Sequence, residues 1–290
     1  MKTPSLLLFV SAALALTAAC GQPDPTTPTP HATGSVLLIT LDTTRADRLG
    51  AYGSSSARTP TLDNLAAAGT LFENAYAVAP LTLPAHASML TGAYPPEHGV
   101  RNNGIHALAE EWTTLPEILA ADGVRTAAVV AATVLDRRYG LAQGFEHYDD
   151  ELRAERTSAA AVDRPAGAVT DAARRWLDGV GSDERFFLWV HYFDPHAPYA
   201  PPEGYRDLGE PYDGEIAYMD AEIGRLLEHR RLAGDERLTV IVVGDHGESL
   251  GEHGELTHGM LVYDSTLRIP WIVHSTADAA GERRADRVDQ

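Results

Sequence analysis

Apolar residues fall in short runs that end in polar side chains, and between the runs the spacing shifts to that of amphipathic helices. The first run, SVLLITLD at 35–42, is too short for most helices and reads as a buried strand that delivers Asp42 at its carboxyl end. Helical patterns follow around 60–69 and 84–91, and TTLPEILAADG at 113–123 offers Thr113 as a cap and Gly123 as a stop. RTAAVVAA, from 125, reads as a strand, 167–179 as a helix, and RFFLWVHYFD at 185–194 as a second buried strand. Over 215–232, Ile216, Met219, Ile223, Leu226 and Leu227 share one helical face, and LTVIVVGD at 238–245 and IPWIVH at 269–274 add strands. This alternation predicts an α/β fold, a mostly parallel central sheet with helices on both faces, in which ligands collect at the carboxyl ends of strands.

Asp42, Asp194 and the pair Asp245 and His246 each follow an apolar strand directly, so the pattern aims them at one place. Carboxylates with an imidazole suit one divalent ion. Each residue also has an ordinary reading: Asp after a strand often caps the next helix or turn, and GDHGE is rich in turn-prone residues.

The 290 residues are enough to bury and align such a site, and the formal charge of -18 arises from 41 acidic and 23 basic side chains without a basic stripe. Nucleic acid is excluded as a partner on that ground, and the acidic balance speaks to solubility. The N-terminus, MKTPSLLLFVSAALALTAAC, reads as an export signal over 1–20 and resembles a bacterial lipoprotein signal with Cys20 as the lipidated residue. Thr17 stands where such signals usually carry Leu, so secretion without a lipid is the alternative. Residues 21–32 form a Pro- and Thr-rich tether, and the folded domain is expected over 33–290. The expected location is the cell envelope or periplasm, anchored by lipid to a bacterial membrane. Cys20 is the only cysteine, so the fold stands on its core without an internal disulfide.

Four segments, in this order, resemble the sulfatase family of the alkaline phosphatase superfamily over about 33–275. They are LLITLDTTRADRLGAYG with TPTLDNLAAAGTLFENAYA, APLTLPAHASMLTGAYPPEHGV with RNNG, HYFDPHAPYAPP, and GDHGESLGEHGELTHGMLVYDSTLRIPWIV. The resemblance implies an alkaline-phosphatase-like α/β/α sandwich, a metal bound by Asp42, Asp245 and His246, and Thr82 as nucleophile and further metal contact. The family's nucleophile segment is Cys or Ser, any residue, Pro, any residue, Arg, and its Cys or Ser is oxidised to formylglycine. Here it reads Thr82, Leu83, Pro84, Ala85, His86. That oxidation needs a primary carbinol or thiol, so Thr82 stays a secondary alcohol, the role threonine has in related phosphodiesterases and phosphotransferases. Pro84 suits a first helical turn, which places Thr82 just before a helix N-terminus whose N–H groups favour anions; read alone, Thr82 is a helix cap.

Asn103 aligns with an active-site Asn of phosphonate-monoester-hydrolase-like relatives, and His196 and His258 match substrate-oxygen ligands or leaving-group acids. His86 replaces an Arg, and Thr43 replaces the second Asp of an Asp-Asp pair; with His246 in place of the usual Asn, one zinc or manganese ion is favoured over calcium. A second ion fails its pattern because Pro198 lies four residues after Asp194, unless His191 or His196 substitutes, and one metal is expected. The expected function is a metal-dependent hydrolase of small anionic phosphate-type esters, with a sulfuric ester hydrolase lacking formylglycine and a non-catalytic surface lipoprotein as alternatives. The polar stretch STADAAGERRADRVDQ is expected to end the chain without the family's C-terminal subdomain, leaving a sheet edge for an oligomer or partner to cover.

Overall fold

The fold is seen in a computed structural model that describes residues 34–152, 164–277 and 281–290. The strands are β1 (Ser35–Leu41), β2 (Thr70–Tyr76), β3 (Arg125–Val129), β4 (His147–Asp149), β5 (Phe186–Tyr192), β6 (Leu238–Gly244), β7 (Arg268–Ile269), β8 (Trp271–Ser275) and β9 (Glu282–Asp289). The helices are α1 (Pro60–Ala68), α2 (Thr82–Thr91), α3 (Pro95–His98), α4 (Leu115–Ala121), α5 (Ala166–Asp178), α6 (Pro211–Leu227), α7 (Arg230–Ala233) and α8 (Asp264–Leu267). One sheet runs β4-β3-β5-β1-β6-β8-β2-β7, with β9 also paired to β2. From β4 to β6 every pairing is parallel; β8 runs antiparallel to β6 and β2.

Strand residues alternate between two apolar cores, as a pleat of period two requires. Leu37, Ile39 and Leu41 of β1 and Leu188 and Val190 of β5 pack with α1, α5 and α6. Leu38 and Trp189 turn to the opposite face, with Leu83, Ala87 and Leu90 of α2. The expected sandwich of helices on both faces is therefore present, and the same parity puts Thr40 and His191 on the α2 side. Both are fully buried there.

Three expectations change. The cap of α4 is Thr114, whose backbone N–H and hydroxyl both donate to Glu117, at 2.8 and 2.9 Å. The helix expected over 215–232 breaks after α6, because His229 is extended and its Nδ1 accepts the Arg231 N–H at the start of α7. The polar stretch after β8, expected to carry no element, contains β9, which pairs in parallel with β2 and is itself an exposed edge strand among the described residues. The export signal, Cys20 and the 21–32 tether lie outside the described residues.

Candidate active site

β1 and β6 are neighbours in register, Leu41 opposite Gly244, so the residues that follow them emerge side by side. The Asp245 N–H donates to Leu41 O and the Asp42 N–H to Tyr192 O, which fixes both aspartates at the carboxyl edge of the sheet. Asp42, Asp245 and His246 are fully buried, with ligand atoms within 4.8 Å of one another. Asp245 Oδ1 accepts the N–H groups of Thr43 and His246, while Asp245 Oδ2 and both oxygens of Asp42 have no hydrogen-bond partner among the described residues. His246 donates Nδ1–H to Gly247 O at 3.0 Å, which leaves the Nε2 lone pair as an acceptor, 3.3 Å from Thr82 Oγ1 and 3.5 Å from Asp245 Oδ2. Three orphaned carboxylate oxygens and an imidazole lone pair around one point fit a divalent cation.

The electrostatics agree. Burial pushes the Asp42 carboxyl up, but His191, His196 and His246 together carry it below the usual carboxylate range. Burial and the charge of Asp42 drive Asp245 well above that range. Two carboxylates in a dry site cannot both ionise without a cation between them. His246 is lowered to about 3, first by burial and then by His258, and so is held neutral as a ligand must be.

A second cluster, His86, His191 and Asp245, has ligand-type atoms at similar spacing, yet the lone pairs of its two imidazoles are spent. His86 Nδ1–H donates to Thr82 O at 2.8 Å, and its Nε2 accepts from Thr40 Oγ1 at 3.0 Å; Thr40 in turn accepts the Trp189 Nε1–H. His191 Nδ1 accepts the Ala131 N–H, so its Nε2 carries the hydrogen, 3.2 Å from Asp42 Oδ2 but out of line for a good hydrogen bond. His191 thus orients Asp42 and leaves that oxygen a lone pair for the cation, as partners of metal ligands do. His86, lowered to about 3 by burial first and His191 second, is a neutral strut behind Thr82.

Thr82 is the first residue of α2; the cap is Leu81, so the expected position just outside the helix is corrected by one residue. Its Oγ1 lies 3.3 Å from His246 Nε2, beside the carboxylate cluster. The expected anion site at the helix end is weakened, since Leu83 N–H is taken by Asn103 Oδ1 at 2.9 Å, Pro84 has no N–H and Ala85 N–H bonds Leu81 O. With its oxygen fixed there, Asn103 has only its NH2 to offer a ligand, as a donor.

His258 packs on His246 and His196, with ring centroids 4.4 and 5.2 Å apart, so both candidate histidines border the metal cluster. His196 donates Nδ1–H to Ala197 O and stacks on Phe193. Burial pushes His258 down, but the hydrogen bond and charge of Glu248 outweigh it and leave the imidazole raised. Asp194 is not drawn into the cluster: its Oδ2 accepts the Ala166 N–H and caps α5. Thr43 holds the left-handed backbone at φ 50 that turns the chain after β1, and its hydroxyl donates to Pro195 O. The sequence reading passed over Thr40, Trp189 and Glu248, and weighed His191 only as a substitute ligand for a second ion. Strand parity carries the signal for Thr40, Trp189 and His191, since Thr40 and Asp42 fall on one face of β1, and Trp189 and His191 follow the same alternation on β5.

Comparison places these features in a known group. A solved phosphonate monoester hydrolase of Agrobacterium radiobacter superposes with a TM-score of 0.74 over 88% of this chain and 71% of its own, at 20% identity. The sulfatase YidJ of Escherichia coli K12 is 24% identical over 86% of this chain and 63% of its own length. An ulvan-active sulfatase of Formosa agariphila is 26% identical over 87% of this chain and 57% of its length, so the chain spans about three fifths of these two curated relatives. The sulfatase family model matches residues 35–290, from the first residue of β1 through β9, and the chain belongs to the sulfatase family.

Proposed function

We propose that the protein hydrolyses phosphate-type esters, a phosphodiester or a phosphonate monoester, by a metal-dependent two-step displacement through Thr82. The observation that carries this reading is the secondary hydroxyl of Thr82, 3.3 Å from His246 Nε2, in the position of the family's aldehyde precursor. Asp42, Asp245, His246 and Thr82 would hold one divalent ion, zinc or manganese for this mixed oxygen and nitrogen set, which would lower the pKa of the Thr82 hydroxyl and offset charge on the ester oxygens. His86 holds the Thr82 carbonyl and so fixes the start of α2, while the Asn103 NH2 donates to a non-bridging oxygen. His196 and His258 border the same space and serve the substrate and leaving-group oxygens.

A formylglycine hydrate lets an enzyme expel sulfate by re-forming a carbonyl, without a second attack at sulfur. Thr82 has no such exit. Its covalent ester is resolved by water attacking the central atom, which suits phosphorus. The sulfate-ester reading draws support from the relatives named for sulfatase activity, such as the ulvan-active sulfatase and the arylsulfatase of Clostridium perfringens. Matched p-nitrophenyl substrates decide between them. Efficiency toward the phosphodiester or phosphonate monoester should exceed that toward the sulfate by at least about tenfold, or about 1.4 kcal/mol of transition-state preference. A clear sulfate preference overturns the reading, and metal binding with turnover of neither ester assigns the protein to binding alone. The reading extends to location: export through residues 1–20, with Cys20 lipidated and 21–32 holding the domain off a membrane.

A further inference from the structure

Glu248 is a fully buried carboxylate three residues beyond Asp245. Its Oε1 lies 3.2 Å from His258 Nδ1, and its Oε2 accepts the Tyr199 hydroxyl at 3.1 Å. Its backbone carbonyl accepts Arg45 Nη1 at 3.2 Å, so both the carboxylate and the loop that carries it are pinned. A carboxylate accepts and cannot donate when ionised, so the hydrogen in this contact sits on Nδ1. Nε2 of His258 is thereby turned away from Glu248, on a ring that packs against His246 and His196. A buried carboxylate is costly unless each oxygen is satisfied, and here the partners are one phenol and one imidazole that borders the candidate site.

We propose that Glu248, held by Tyr199, is the positioning residue that locks His258 in the Nδ1–H form and directs Nε2 to the leaving-group oxygen. This rests on the Thr82 reading. In the first step deprotonated Thr82 Oγ forms a bond to phosphorus, the bond from phosphorus to the leaving oxygen breaks, and that oxygen takes the Nε2 proton of the His258 imidazolium. In the second step a water gives a proton to Nε2 while its oxygen bonds to phosphorus, and Thr82 Oγ departs as the alkoxide. Nδ1–H stays on Glu248 throughout, so one orientation serves both proton transfers.

The test pairs a rate series with a spectroscopic measurement. Esters graded from p-nitrophenol to methanol leaving groups are compared for the natural protein, Glu248→Gln, and Glu248→Met in a Tyr199→Phe background that leaves no orphaned hydroxyl. Glu248→Met should lose little with p-nitrophenol and on the order of a hundredfold with methanol, where proton donation matters most. Glu248→Gln, which keeps an acceptor for Nδ1–H, should recover part of that loss. An equal loss at every leaving group overturns the proposal and reduces Glu248 to a structural part. Long-range nitrogen-proton NMR of the natural protein, at a pH where His258 is neutral, should show Nδ1 protonated and Nε2 bare; the opposite tautomer overturns it whether or not any variant folds. Failure of the Thr82 reading looks different: Thr82→Ala would then keep its turnover, with the His258 tautomer unchanged.

Discussion

Asp245→Asn should have opposite effects on stability with and without metal. The side-chain Oδ1 of Asn keeps the acceptor for the Thr43 and His246 N–H groups, and its NH2 replaces the orphaned Oδ2 beside His246 Nε2, 3.5 Å away. What is lost is one of two facing charges. At the outer separation of 4.8 Å, two unit charges in an effective dielectric of about 20 repel by about 3.5 kcal/mol. The metal-free natural protein avoids part of this by protonating Asp245, so that figure is a ceiling. In EDTA the variant should be more stable by about 1 to 3.5 kcal/mol in urea denaturation. The gap should widen with pH: the folded-state pKa of Asp245 is raised, so its contribution is whole below the unfolded value near 3.8 and is lost as pH rises through the folded value. With metal the order reverses, because the natural protein gains about 4.1 kcal/mol at a free-metal concentration of about 1,000 times Kd and the variant lacks a ligand. A variant that is destabilised in EDTA, or that keeps the full metal effect, refutes the charge argument.

Thr82→Ala should lower turnover by at least about a thousandfold while elemental analysis still finds about one divalent ion per chain, and Thr82→Ser should keep measurable activity; near-normal turnover in Thr82→Ala ends that assignment. Thr40→Val leaves the Trp189 Nε1–H and His86 Nε2 buried without partners, and should cost about 2 to 4 kcal/mol in urea denaturation. Fatty-acid labelling of the natural chain and of Cys20→Ala should differ; equal labelling, or none in either, leaves secretion without a lipid.

The metal cluster was legible because its residues follow apolar runs directly, and a parallel sheet with β1 beside β6 brings those run ends together. Asp194 has the same local signature and goes elsewhere, since the first turn of α5 needs an acceptor that only the folded chain places beside it. The start of α2 was misread by one residue because Pro84 is tolerated anywhere in a first turn, while the cap is decided by the extended backbone of Leu81. β9 escaped notice for another reason. Its residues are almost all exposed, so it has no apolar alternation to detect, and only its ladder to β2 makes it a strand. Glu248 was passed over, and His191 was weighed only for a second ion, because their roles depend on partners elsewhere in the chain, His258 and Asp42, for which spacing carries no sign.

Two of the departures from the family's pattern, Thr43 and His86, make sense together once the site is seen to be dry. Thr43 in place of an aspartate removes a negative charge from the end of β1, and its backbone N–H still serves Asp245 Oδ1 at 3.1 Å. His86 in place of an arginine removes a positive charge behind Thr82, and the imidazole is kept neutral with both ring nitrogens engaged. Either change alone would leave one unbalanced charge among fully buried groups, at a cost of several kcal/mol. Made together they preserve the charge sum and leave Asp42 and Asp245 as the carboxylates that a divalent ion balances. The exchange also alters what holds Thr82: a guanidinium acts through charge at long range, whereas His86 acts through one hydrogen bond to the Thr82 carbonyl, held from behind by Thr40 and Trp189. The position of Thr82 is therefore set by a neutral chain of contacts from β5 through β1 to α2, and on the proposed reading the activation of its hydroxyl would fall to the cation.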